Sequence, residues 1–250
     1  MVNLRISALA AVLLVGALAG NAHAAGSKAD LEPSGIDPGN INSLQRGARN
    51  FMNYCSGCHS AQYVRWKTIG EDLELSDEQL INNLMFNAEK TFETINIAMR
   101  AEDAERWFGV LPPDVSLIAR SRGSDYIYNF LKGYYIDPSK TTGVNNRVLE
   151  GTAMPHVLGG LQGYQRAIYE TREEGGETVK ELTGFEIAVP GSMDAEAYDE
   201  FVRDTTNFLA YIAEPIRSER RQLGVWVLIY LLFFLILARM LKKQIWKDVK

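Results

Sequence analysis

The chain has 250 residues, 26 basic and 31 acidic, for a formal net charge of −5, with 46% hydrophobic and 10% aromatic residues. That length permits a substantial core in one large or two small domains, and the composition excludes a wholly disordered chain. The acidic balance argues against nucleic acid as the main partner, because phosphate binding needs a basic face, and two cysteines exclude a fold stapled by several disulfides.

The first 24 residues read as a secretory signal peptide. Arg5 supplies the basic start, Ile6 to Gly20 the apolar run, and Ala22-His23-Ala24 the small-x-small cleavage pattern. Residues 43–54 then predict a helix, with Leu44, Gly47, Phe51 and Cys55 near one face by three- and four-residue steps.

Residues 55–59 read Cys-Ser-Gly-Cys-His, the attachment pattern of c-type haem. Two thiols on one turn can add to the two vinyl groups, and the adjacent His59 can ligate the iron from the proximal side. A structural zinc site would want further ligands. Only His23 and His156 remain, the first within the signal peptide. A dithiol redox pair would not need the following histidine. In an exported chain whose only two cysteines form this motif, haem c, one per chain and covalently bound, is the reading.

Downstream, Ser76 caps a helical run DEQLINNLM over 77–85. Acidic residues cluster at 71–78, 102–105 and 170–177, and the Gly- and Glu-rich stretch 160–193 reads as an inserted loop and hairpin. Asp194 is a plausible cap for a helix running to Ala213, which Pro215 stops. Paired with the 43–54 helix, it resembles the terminal helices of class I cytochromes c. Gly47 and Tyr211 are the residues expected to meet where the two cross.

A sixth ligand must come from few residues. Met52 is too close to the attachment turn, and Met85 and Met99 read as core. Met154, in a Gly/Pro-punctuated loop, fits best on local grounds, with Met193 and His156 open as alternatives.

From Leu223 to Ala238 there is no charge, and with Met240 and Leu241 the run reaches the roughly twenty residues needed to span a bilayer. More basic residues follow it than precede it, which places the tail in the cytoplasm. The expected organisation is signal peptide 1–24, periplasmic haem domain 25–216, anchor with basic flanks 217–243 and cytoplasmic tail 244–250. That is one pass through a bacterial inner membrane. From Arg217 onward there are eight basic and two acidic residues, and the signal peptide holds one basic residue, leaving 17 basic and 29 acidic between 25 and 216. The haem domain thus carries a net charge of −12 and the anchor is basic.

In its haem turn NYCSGCHSAQYVRW (53–66), its segment GVLPPDVSLIARSRGSDYIYNFLKGY (109–134), AMPH (153–156) and AEPIRSERRQLG (213–224) running into the anchor, the chain resembles the cytochrome c1 family. The resemblance implies a mostly α, class I cytochrome c-like haem domain with loop insertions and one C-terminal transmembrane helix. It implies Met154 as sixth ligand beside His59, Arg120 against a haem propionate, and Pro112 and Tyr126 lining the haem pocket. The implied role is that of the haem subunit of the quinol–cytochrome c reductase (bc1) complex. Electrons would arrive from a Rieske iron–sulfur protein and leave to a basic cytochrome c, beside cytochrome b in a dimeric complex, with no bond made or broken on this chain. A haem subunit of a terminal oxidase and a haem peroxidase are the alternatives.

Overall fold

The computed structural model describes residues 31–97, 99–174 and 177–248; the expected signal peptide lies outside them. Helix α1 (Ile41–Tyr54) starts where the Asn40 side chain accepts from the Ser43 amide, 3.1 Å away, and buries Leu44, Gly47, Ala48, Phe51 and Met52 along one stripe. A short strand β1 (Ala61–Arg65) runs into α2 (Trp66–Asp72), and α3 (Asp77–Asn83) opens with a capping box between Ser76 and Gln79. Strand β2 (Thr94–Ile95) pairs antiparallel with β1. Then come α4 (Ala101–Phe108), α5 (Ile118–Ser121) and α6 (Ser124–Lys132). Strands β3 (Tyr134–Ile136) and β4 (Val144–Asn146) form a small antiparallel pair. After the one-turn α7 (Gly159–Gln162), strands β5 (Gly163–Glu174) and β6 (Glu177–Pro190) make a long hairpin. Helix α8 (Ala195–Ala213) closes the domain, and α9 (Arg217–Ile245) follows.

The architecture is therefore about half helical, with the expected hairpin within 160–193. Helices α1 and α8 are the main packed pair of the core, joined by Phe51 and Phe208, whose ring centroids lie 5.8 Å apart. Gly47 permits this. A Cβ there would stand 2.1 Å from the Asp204 carbonyl oxygen and 2.7 Å from Phe208 Cβ, so only a glycine allows the backbones so close. The aromatic met by Gly47 is Phe208, not Tyr211. The two lie three residues apart on the same helix face, and the crossing falls one turn earlier than the sequence pattern suggested. Tyr211 instead donates its hydroxyl to Asp72 on α2 at 2.6 Å.

A buried polar cluster braces the same crossing. Asp204 accepts from the Ser43 hydroxyl at 2.6 Å and from the Arg46 guanidinium, and the Asn207 amide donates to Ser43 Oγ at 2.9 Å. Each buried polar atom so satisfied avoids the desolvation penalty of an unpaired one. Beyond the domain, α9 is an apolar helix whose most apolar 18-residue stretch has a mean hydropathy of 2.4 and no residue buried inside the chain. Its 29 residues are about 43 Å long, enough to cross a ~30 Å hydrocarbon layer.

Candidate functional site

Where α1 ends, the chain turns back on itself. The Cys55 amide donates to the Phe51 carbonyl, and the Cys58 and His59 amides both donate to the Cys55 carbonyl, at 3.0 and 2.9 Å. The two thiols and the imidazole are thus presented by one compact turn attached to the helix that anchors the core. Both cysteines are free. Burial pushes the Cys55 thiol up to about 12 and raises that of Cys58, so both side chains are neutral thiols at neutral pH.

This turn opens onto a cavity of about 460 Å³, within the range of small-molecule and cofactor sites. Phe51 and Tyr54 of α1 and Thr205 and Leu209 of α8 contribute to its wall, as does the loop Val110–Pro113. Tyr126, Ile127, Phe130 and Leu131 of α6 line it as well, together with the stretch Leu149–Pro155. The lining is overwhelmingly apolar, which excludes water from whatever it encloses.

The His59 imidazole is fixed from behind. Its Nδ1 lies 2.8 Å from the Pro113 carbonyl oxygen, and a carbonyl can only accept, so Nδ1 carries the proton and Nε2 keeps its lone pair. Burial lowers the ring's affinity for a second proton. A neutral imidazole with its distal N–H held by a backbone carbonyl is the form in which histidine ligates a metal. Met154 lines the same cavity and is packed against the core. Its backbone is held where the buried Tyr134 hydroxyl donates to the Met154 carbonyl at 3.2 Å. Two thiols, a pre-oriented neutral imidazole and a thioether on one dry cavity fit a covalently tethered haem.

Of the residues singled out from sequence, the cavity brings together Cys55, Cys58, His59, Pro112, Tyr126 and Met154. The alternatives for the sixth position sit elsewhere. Met193 packs against the core beyond the lining, and the His156 ring stacks on Tyr134 with centroids 4.8 Å apart. Met52 and Met85 are buried, the latter as read from sequence, and Met99 is half-buried rather than in the core. Arg120 is exposed on α5 and lies off the cavity wall; the guanidinium on the wall is that of Arg122, 5.6 Å from the Tyr126 ring centroid. Residues two apart on a helical turn do not share a face, and the Arg-Ser-Arg pattern alone does not fix the phase. Phe108, Thr205 and Leu209 are lining residues that the sequence reading did not single out. Their helices carry no motif, so only the tertiary packing reveals them.

The sequence profile of the Cytochrome C1 family matches residues 37–180 and 190–249. A cytochrome c1 from Allochromatium vinosum is 45% identical, covering 90% of this chain and 92% of its own length. A protein named ammonia monooxygenase gamma subunit from Nitrosomonas europaea is 39% identical over 91% of this chain and 92% of its own. The mitochondrial cytochrome c1 haem protein of Saccharomyces cerevisiae is 27% identical, over 83% and 67% respectively. Cytochrome c1 proteins bind one covalently attached haem c, and the two cysteines that such attachment needs are present here as Cys55 and Cys58.

Proposed function

We propose, from the premise that this chain belongs to the cytochrome c1 family, that Cys55 and Cys58 would tether the haem and that His59 and Met154 would ligate its iron. The family is that of the haem subunit of the bc1 complex, an electron-transfer subunit. When bound, the haem supplies a one-electron iron couple. The chain's own residues do the rest. The Pro113 carbonyl holds the His59 ring in one tautomer, and the neutral thioether of Met154 favours a high reduction potential. Pro112, Tyr126 and the other apolar walls would surround the haem, and Arg122 on the wall, rather than Arg120, would supply a cation for a propionate. The convergence of both cysteines, the pre-oriented His59 and Met154 on one apolar cavity is the observation that carries this reading.

In this reading an electron arrives from a Rieske iron–sulfur protein and leaves to a cationic cytochrome c, with cytochrome b as the membrane partner in a dimeric complex. Residues 25–216 form the haem domain in the periplasm, 217–243 the anchor with its basic flanks, and 244–250 a cytoplasmic tail. The excess of basic residues after the apolar run supports that orientation.

Iron coordination tests the assignment. The ferrous protein is expected to be six-coordinate and inert to carbon monoxide. Met154→Ala opens the sixth position, so that variant binds carbon monoxide and its potential falls on the order of 0.1 V, within the ~0.8 V that axial ligands span. A variant with an unaltered spectrum removes Met154 as ligand. A parent protein that binds carbon monoxide or turns over peroxide defeats the carrier reading in favour of a peroxidase.

A further inference from the structure

A single carboxylate joins the segment that leaves the attachment turn to the loop that faces it. Asp114 Oδ2 accepts from the Ser60 hydroxyl at 2.6 Å and from the Gln62 amide at 2.9 Å, and Oδ1 accepts from the Ser116 amide at 2.9 Å. Two more bonds run alongside. The Val115 amide donates to the Ser60 carbonyl at 2.8 Å, and the Tyr63 amide donates to Ser116 Oγ at 3.1 Å. The bond from Asp114 to its own neighbour Ser116 is an ordinary turn device. The bonds to residues 60 and 62 are not local, spanning more than fifty residues of chain.

The order of residues gives this brace its meaning. His59 immediately precedes Ser60, and Pro113 immediately precedes Asp114. The contact between His59 Nδ1 and the Pro113 carbonyl is therefore the next rung of the same ladder. The Pro113 carbonyl lies in the peptide plane it shares with the Asp114 N–H, so whatever fixes residue 114 also bears on the orientation of that carbonyl.

We propose that Asp114 is a positioning residue for His59: by tying the 112–116 loop to Ser60 and Gln62, it holds the Pro113 carbonyl on the imidazole N–H and so sets the ring's plane and basicity. The proposal rests on His59 being the proximal iron ligand. A carboxylate suits the task because its two oxygens offer about four acceptor sites and no donor, whereas an asparagine amide offers one oxygen and presents an NH₂ to the remaining donors. Outer-shell partners of metal-bound histidines carry about 10–100-fold effects on the metal site.

The test is proton NMR of the ferric, haem-loaded full chain in detergent, reading solvent exchange of the His59 Nδ1 proton, with the reduction potential measured in parallel. Asp114→Asn removes the charge and half the acceptor capacity, while Ser60→Ala removes one rung and keeps the charge. Both are expected to speed that exchange about tenfold, and Asp114→Glu to restore part of the protection. Exchange at the parent rate in Asp114→Asn overturns the proposal, even if the potential moves, because the charge alone then explains the shift. Should Asp114→Asn fail to take up haem, Ser60→Ala decides, and parent-rate exchange there overturns it equally. A parent protein with no iron-shifted ring N–H defeats the ligand assignment of His59, and the proposal with it, by a separate signal.

Discussion

The His156 ring lies flat against Tyr134, with planes 9° apart, and meets the edge of Tyr164 at 5.8 Å between centroids. Its Nε2 is buried with no hydrogen-bond partner among the described residues. Burial pushes its pKa down to about 4, against 6.5 for an ordinary histidine. Between those values the unfolded chain binds more protons than the folded one, so stability falls as the pH drops from about 6.5 to 4 and levels off below. The contribution lost is on the order of 2–3 kcal/mol. Urea unfolding at pH 7 and at pH 4.5 is expected to show it, and His156→Phe to remove that part of the slope. Equal slopes in parent and variant would contradict it. At this scale the sequence was legible wherever chemistry dictates spacing. The CxxCH turn needs only local spacing to be read. On local grounds Met154 stands beside Met193 and His156, and it is the cavity lining that sets its position apart from theirs. Which of two neighbouring arginines reaches the cavity depends on helix phase, and the role of Asp114 depends on a partner more than fifty residues away. Neither leaves a local trace.

Elements were read by their ends. Ser76 and Asp194 cap helices as their side-chain chemistry suggests, the latter accepting from the Ala197 amide at 2.8 Å, and the 160–193 stretch pairs as a hairpin. The crossing of α1 and α8 was legible in kind, a glycine facing an aromatic, but not in register. Periodicity places Phe208 and Tyr211 on one face, and only packing decides which meets Gly47. Gly47→Ala sets a Cβ against the Asp204 carbonyl and Phe208 Cβ, backbone and near-backbone atoms that cannot swing aside. The helices must part, at a cost of about 1–3 kcal/mol or more. A lower urea midpoint at an unchanged m-value is the expected result, and an unshifted midpoint would mean that the crossing yields freely.

For the whole molecule, a net charge of −5 hides −12 over residues 25–216 and +6 over residues 217–250. Such a field raises the encounter rate of a cationic partner by ~10–10³-fold and is screened by salt. In the proposed function, the long exposed α9 would anchor that field at a membrane surface, and charge would recruit the cationic acceptor. The most direct measurement is stopped-flow mixing of the complex, its c-type haem pre-reduced, with a cationic cytochrome c across a range of ionic strength. The predicted result is oxidation of the haem matched by reduction of the cytochrome c, at a second-order rate that falls at least tenfold between low and high salt. A rate independent of salt, or cytochrome c reduced while the haem on this chain stays reduced, would contradict the relay.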